Sequence, residues 1–215
     1  MKTPDDYSIS TAYSYKDSKE LSMYYDDSAD GYDEYASSVG YILPRLVAET
    51  ALQFIDGNEK IIDIGCGTGI LGVELNALKD GLSIHGVDIS PKMIIHAYCK
   101  KQVDGKRHYG LLHRLDLTTE DAIPENQYNF MVSSGTFTTG HLKPRHLTNI
   151  IKSLMNNSYA VFSVKSDHFE ESGFMSELSK LSDQNMIEIL EISEVDSYDN
   201  DGYTALSKII SLKMN

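Results

Sequence analysis

Apolar positions first fall into a regular rhythm after Gly40. Ile42, Leu43, Leu46, Val47, Leu52 and Phe54 recur near helical spacing, with Pro44 where a first turn tolerates it. Lys60-Ile61-Ile62-Asp63-Ile64 is a short apolar run ended by glycines, the pattern of a buried strand. Ile70, Leu71, Val73, Leu75 and Leu78 then mark one face of a helix. A second strand is predicted over 83–88 and a second helix over 91–101, with Pro91 at a natural first-turn position. Strands are predicted over 109–115, 128–133 and 159–165, a helix over 144–155 between the last two, and another helix over 173–181. Strands and helices alternating at this length predict an α/β fold, a three-layer Rossmann-like sandwich around a mostly parallel sheet. The tail differs. Runs at 186–195 and 205–214 flank the polar stretch 196–202, which predicts a C-terminal antiparallel hairpin at one edge of a seven-stranded sheet.

Composition narrows the class. A chain of 215 residues, 41% hydrophobic and 24% charged, is sized for one globular domain. Residues 1–40 stand apart, rich in tyrosine, serine and aspartate and poor in aliphatics. They read either as a loosely ordered polar leader or as a lid in which Tyr24, Tyr25, Tyr32 or Tyr35 closes over a ligand. Tyrosine suits a lid because it joins an apolar ring to a polar tip. The expected division is this leader, then a domain over 41–215. No apolar run approaches the ~20 residues that span a bilayer, and the first residues lack the apolar core of a secretory signal. Cys66 and Cys99 form neither a disulfide framework nor a zinc set. A cytoplasmic protein with no membrane contact and no metal is expected. The net charge of −13, with no basic cluster longer than Lys100-Lys101 or Lys106-Arg107, argues against a nucleic-acid partner.

Ligands of open parallel sheets bind beyond the carboxyl ends of the strands, where strand order reverses. The first βα turn is Asp63-Ile64-Gly65-Cys66-Gly67-Thr68-Gly69. Its glycines permit a sharp turn and let a ligand approach the backbone, with a helix N-terminus just behind. Nineteen residues after Gly69, at the end of the second predicted strand, stands Asp88, placed to accept from both hydroxyls of a ribose. A dinucleotide fingerprint beginning at Gly65 needs its third glycine at position 70, which is Ile70. The pattern is G-x-G-x-G, and the nicotinamide reading recedes. The residues by themselves indicate a nucleoside-containing cofactor.

Ile61-Ile-Asp-Ile-Gly-Cys-Gly-Thr-Gly69 closely resembles the first motif of class I S-adenosylmethionine-dependent methyltransferases. Gly86-Val-Asp-Ile-Ser-Pro-Lys-Met93 resembles the second, Leu115-Asp-Leu117 the third, and Tyr128-Asn-Phe-Met-Val-Ser-Ser-Gly135 the strand that ends under the reacting methyl. Tyr32-Asp33, the segment 134–141 and the segment 164–174 are similar to a narrower methyltransferase-like group, the one related to the Williams–Beuren syndrome region protein. The resemblance implies S-adenosylmethionine as cofactor and S-adenosylhomocysteine as product. It implies cofactor contacts from Asp63, Gly65, Cys66, Gly67, Gly69, Asp88, Ile89, Met93, Asp116, Leu117 and Ser133, with Asp88 on the ribose and Asp116 on the adenine amino group.

Each assignment has a plainer alternative. Asp63 either orients the methionine amino group through water or satisfies loop amides. Cys66 is better explained as a small filler of the turn than as a reactive thiol. Asp116 is also placed to cap a turn, and Met93 is a wall residue in either reading. His141, just past a strand end, is a candidate general base for an oxygen or nitrogen nucleophile, against the alternative of a loop histidine bonded to backbone. The expected function is methyl transfer to a small-molecule acceptor. A non-catalytic S-adenosylmethionine-binding regulatory module and a nicotinamide-dependent oxidoreductase are the alternatives, and the oligomeric state stays open.

Overall fold

Apolar runs too short for helices pair side by side into strands, and the amphipathic segments between them cover both faces. The computed structural model describes residues 17–119, 123–200 and 202–215. Helices α1 (Ser18–Ser28), α2 (Tyr32–Ser38) and α3 (Leu43–Ala51) precede β1 (Lys60–Ile64). Then follow α4 (Ile70–Leu78), β2 (Ser83–Asp88), α5 (Pro91–Cys99), β3 (Leu111–Arg114) and β4 (Tyr128–Phe137). The chain continues through α6 (Pro144–Ile151), β5 (Leu154–Lys165), α7 (Ser166–Ser172), α8 (Phe174–Asp183), β6 (Ile187–Asp196) and β7 (Leu206–Met214).

The seven strands lie in the order β3-β2-β1-β4-β5-β7-β6. The first five are parallel, and β7 runs antiparallel between β5 and β6. The predicted Rossmann-like sandwich and its C-terminal hairpin are therefore present, with the hairpin's second strand inside and its first at the edge. Strand order reverses between β1 and β4, and a ligand crevice belongs at their carboxyl ends. Alternation along β1 divides the core. Ile61 packs with Val47, Ala51, Leu71 and Leu75 from α3 and α4. Ile62 and Ile64 face the other way, toward the layer that holds Leu147, Ile150, Leu178 and Leu181 of α6 and α8.

Several boundaries differ from those expected. The helix predicted over 144–155 stops at Ile151, and Leu154 already pairs with Tyr128 as part of β5. The polar Asn156-Asn157 interrupts that strand's apolar pattern, Asn157 takes a φ of 60°, and the register shifts before Tyr159 meets Phe130. Only the second half of β5 was therefore visible as a strand. β4 extends past 133 to Phe137, across a shift of register that coincides with Gly135 at φ 72°. β3 is shorter than 109–115, and α5 ends at Cys99. The stretch around His168 is helix α7, with His168 and Phe169 buried.

The part of the leader that is described, residues 17–40, is mostly helical. Residues 1–16, where the reading as a loosely ordered leader also falls, lie outside the described residues. Among the described residues, no helix is long and apolar enough to cross a membrane.

Candidate active site

The turn after β1 is held open by glycine. Gly65 has φ 68°, and a Cβ there would lie 2.2 Å from Thr136 Oγ1, so the ends of β1 and β4 touch only because the side chain is missing. Thr136 Oγ1 donates to the Ile64 carbonyl (3.0 Å), and the Cys66 amide donates to the Val87 carbonyl (3.0 Å), tying the turn to both neighbours. Gly69, at φ 88°, precedes the first residue of α4. Gly65→Ala should cost at least ~2 kcal/mol of stability, from the left-handed backbone and the clash together, read as a lowered urea midpoint. A midpoint equal to wild type would contradict the close approach. Cys66 is buried, and burial pushes its thiol well above the ordinary range, which makes it turn packing and not a nucleophile.

Two carboxylates flank this turn in different states. Asp88 Oδ2 accepts from the Gly67 amide and Oδ1 from the Ser90 amide, both at 2.8 Å. Burial raises its carboxyl above the usual range although these amides pull it down. Each oxygen keeps one further lone pair, enough for two hydroxyls. Asp63 is fully buried. Tyr109 donates to its Oδ2 at 2.6 Å, and Oδ1 has no partner. Burial pushes this carboxyl up to about 7, against the pull of the Tyr109 hydrogen bond.

A cavity of about 880 Å³ opens beyond the ends of β1 to β4, near the upper end of the range for small-molecule sites. Of the residues expected at the cofactor, Gly65, Gly67, Asp88, Ile89, Met93, Asp116 and Leu117 border it, and so does His141. Asp63, Cys66, Gly69 and Ser133 do not. Ser133 faces the core, where its hydroxyl donates to the Ile64 carbonyl at 2.7 Å, and its neighbour Ser134 borders the cavity with a buried, unpartnered Oγ. Asp116 does two things at once. Its Oδ1 accepts from the Thr118 amide (2.9 Å) and hydroxyl (2.6 Å), the expected turn cap, while the residue also lines the cavity. Partial burial of Asp116 is outweighed by these bonds and one from Ser18, and its carboxyl falls below the usual range.

Helices α1 and α2 lie across this crevice on polar contacts. Ser22 Oγ donates to the Ile89 carbonyl (3.1 Å), Ser90 Oγ donates to Asp26 (2.6 Å), and His96 meets Asp30 (3.0 Å). Asp33 accepts from Thr68 Oγ1 and pairs with Lys100, each at 2.5 Å. On the far side Tyr25 reaches His141. His141 Nδ1 donates to the Thr139 carbonyl (3.1 Å), which places the proton there and leaves Nε2 to accept from the Tyr25 hydroxyl (2.7 Å). Burial pushes this imidazole down to about 4, so it is neutral near pH 7.

His168 also borders the cavity, as do Lys143, Arg145 and His146, which the sequence did not single out. No spacing motif carries them. The available signal was position, since 138–146 is the connection that leaves the carboxyl end of β4 at the switch point.

A family model described as a methyltransferase domain matches residues 32–188. Human methyltransferase-like protein 27 is 31% identical over 127 residues, 57% of this chain and 48% of that protein. Malonyl-[acyl-carrier protein] O-methyltransferase of Acetivibrio thermocellus is 27% identical over 151 residues, 68% of this chain and 50% of that protein. The chain thus spans about half the length of these two relatives. A crystal structure of magnesium protoporphyrin IX methyltransferase from Synechocystis PCC 6803 with bound SAM superposes with a TM-score of 0.66. It covers 92% of this chain and 97% of that one at 17% identity, a likeness of fold. The matched span runs from the start of α2 into β6 and takes in the glycine turn, Asp88 and His141. On that match the chain belongs to the methyltransferase-domain family, as a class I S-adenosylmethionine-dependent member.

Proposed function

We propose that this chain transfers a methyl group from S-adenosylmethionine to a small-molecule acceptor. The observation that carries the reading is the Asp88 carboxylate. It borders a cavity at the switch point, and each oxygen is oriented by one backbone amide with one lone pair to spare. The residues present fit the cofactor. Gly67, whose absent Cβ would meet nothing within 4 Å, leaves open space over the turn. Asp88 takes the ribose hydroxyls, Ile89, Met93 and Leu117 supply apolar walls for the adenine, and the lone pair of Asp116 that Thr118 and Ser18 leave open takes its amino group. Asp63 and Gly69 act at one remove, through the shape and charge of the turn.

The bound cofactor supplies a sulfonium-activated methyl group, an electrophile that needs alignment more than activation. The chain supplies position, exclusion of water and one proton acceptor. Residues 17–40 serve as the lid of the domain over 41–215, because Ser22, Asp26, Asp33 and Tyr25 reach loops at the crevice, at Ile89, Ser90, Thr68 and His141. His141 serves as the base for a protic nucleophile. Its tautomer is fixed by the Thr139 carbonyl, and Tyr25 occupies its Nε2 until an acceptor's O–H or N–H takes that place. The names of two similar proteins, which describe methyltransferases of malonyl-[acyl-carrier protein] and of magnesium protoporphyrin IX, support acceptors other than nucleic acid.

The test is release of S-adenosylhomocysteine from S-adenosylmethionine in the presence of amine, carboxylate and phenol panels. Product above the acceptor-free rate supports the reading, and none with any panel member counts against it. In that assay His141→Ala should lower turnover about 100-fold while changing cofactor affinity less than about threefold. Equal turnover would leave His141 as a loop histidine.

A further inference from the structure

Acidic residues are unevenly distributed along this chain. It carries 32 Asp and Glu against 19 Lys and Arg, yet residues 126–166 hold no acid at all, where average density would give about six. That stretch comprises β4, α6, β5 and their connections. Two of its cations, Lys143 and Arg145, stand at the start of α6 and border the cavity. Among the described residues neither forms an ion pair, whereas Lys100, Lys165 and Lys208 are each paired.

Among the side chains around them two carboxylates are felt, Asp116 at His146 and Asp167 at His168. His141, His146 and His168 border the same cavity. Burial lowers His146, and the charges of Arg145 and Lys143 lower it further than Asp116 raises it. Burial likewise lowers His168, against the Leu142 carbonyl and Asp167, with Lys143 and Lys165 adding to the fall. The carboxylates of the cavity lie elsewhere in role: Asp88 is bound to the Gly67 and Ser90 amides, Asp116 caps its turn at Thr118, and Asp17 accepts from the Lys19 amide at 2.6 Å. A molecule of net charge −13 repels anions at long range, so admitting one takes a local reversal of sign. An acid-free segment that brings two cations to the cavity rim is such a reversal.

We propose that the acceptor carries a carboxylate or phosphate group, bound by Lys143 and Arg145 at the rim beside His141. This deepens the function proposed above and rests on it. Arg145 offers a planar fork suited to two oxygens, and Lys143 a point charge. The anionic group is a handle that sets the acceptor's nucleophile next to the His141 imidazole. The other anion that could seat here is the cofactor's own carboxylate, and the experiment separates the two.

Full-length protein saturated with S-adenosylhomocysteine is titrated by calorimetry with inorganic phosphate, with succinate and with neutral succinamide at low salt. Binding of phosphate or succinate but not succinamide is expected, and their ratio tells which anion the rim prefers. The double substitution Lys143→Ala with Arg145→Ala should weaken that anion at least tenfold and leave S-adenosylhomocysteine affinity within about twofold. Lys143→Arg should retain the anion. The proposal is overturned by no anion binding to the loaded wild type, by succinamide binding equally well, or by a double variant that holds the anion unchanged. It is also overturned if the double variant loses S-adenosylhomocysteine affinity instead, since the cations would then serve the cofactor. A wild type that fails to bind S-adenosylhomocysteine would remove the underlying function, and this proposal with it, in a step read before any anion is added.

Discussion

Asp88→Ala is expected to weaken S-adenosylhomocysteine binding at least tenfold while the sheet stays folded. The carboxylate sits at the end of β2, where Gly67 and Ser90 amides each claim one lone pair of one oxygen. Two lone pairs remain for two hydroxyls, and a hydrogen bond to a charged group contributes about 1.5–3 kcal/mol. Losing even one such bond exceeds the 1.4 kcal/mol that corresponds to tenfold in affinity. Alanine also frees the two amides and loosens the turn that shapes the site. Asparagine rescues little, because its amide nitrogen would face a backbone N–H where an acceptor is required. The fold should survive, since burial already holds this carboxyl above its usual range, and its charge is a burden on the folded chain. Calorimetry on the folded variant decides the matter, and an unchanged dissociation constant would remove the ribose assignment.

Asp63→Asn is expected to change how stability depends on pH. The folded carboxyl ionises near 7, against an ordinary 3.8, because burial outweighs the Tyr109 hydrogen bond. Between about pH 4 and 7 the folded chain keeps a proton that the unfolded chain has lost. This group's contribution to stability therefore falls as pH rises through that window, by up to about 1.4 kcal/mol per unit, and levels off above it. The full span is on the order of 4 kcal/mol, of which about 3 kcal/mol falls above pH 5. Asparagine cannot ionise and loses none of it. Whatever offset separates the two proteins at pH 5, the variant's melting temperature should gain on wild type by roughly 5–10 °C by pH 8. Parallel melting curves across that range would mean that Asp63 is not a buried, ionising acid. The unpartnered Oδ1 is part of the same picture, since a carboxylate that the fold leaves half satisfied costs stability and is retained for another reason.

Sequence pattern revealed the elements whose signals are local. β1, α4 and β2 are short apolar segments bounded by glycines and a proline; the ends of both strands matched the structure residue for residue, and the apolar face from Ile70 to Leu78 lies on α4. The first half of β5 was hidden by Asn156-Asn157, and α7 by the charged surface of a helix that buries only His168 and Phe169. α1 escaped because it buries little beyond Leu21, Ser22 and Ser28 and is held by polar tethers instead. The site divides in the same way. Glycine spacing and the acid after β2 are contiguous signals, and the structure brings Gly65, Gly67 and Asp88 to one cavity. Ser133 illustrates the opposite case. Strand side chains alternate, and the register shift beyond Ser133 puts Ser134 on the cavity and Ser133 in the core. Tyr25 and His141 are 116 positions apart, and no local pattern joins them before the lid is folded over the crevice.

The most direct measurement is a crystal structure with S-adenosylhomocysteine. The account predicts adenosyl density across the end of β1, with both ribose hydroxyls within about 2.5–3.2 Å of the Asp88 carboxylate. Adenine should lie between Ile89 and Leu117, and the sulfur should point toward Ser134 and His141. Crystals grown at saturating ligand with an empty cavity, or with the nucleoside bound away from Asp88, would contradict it.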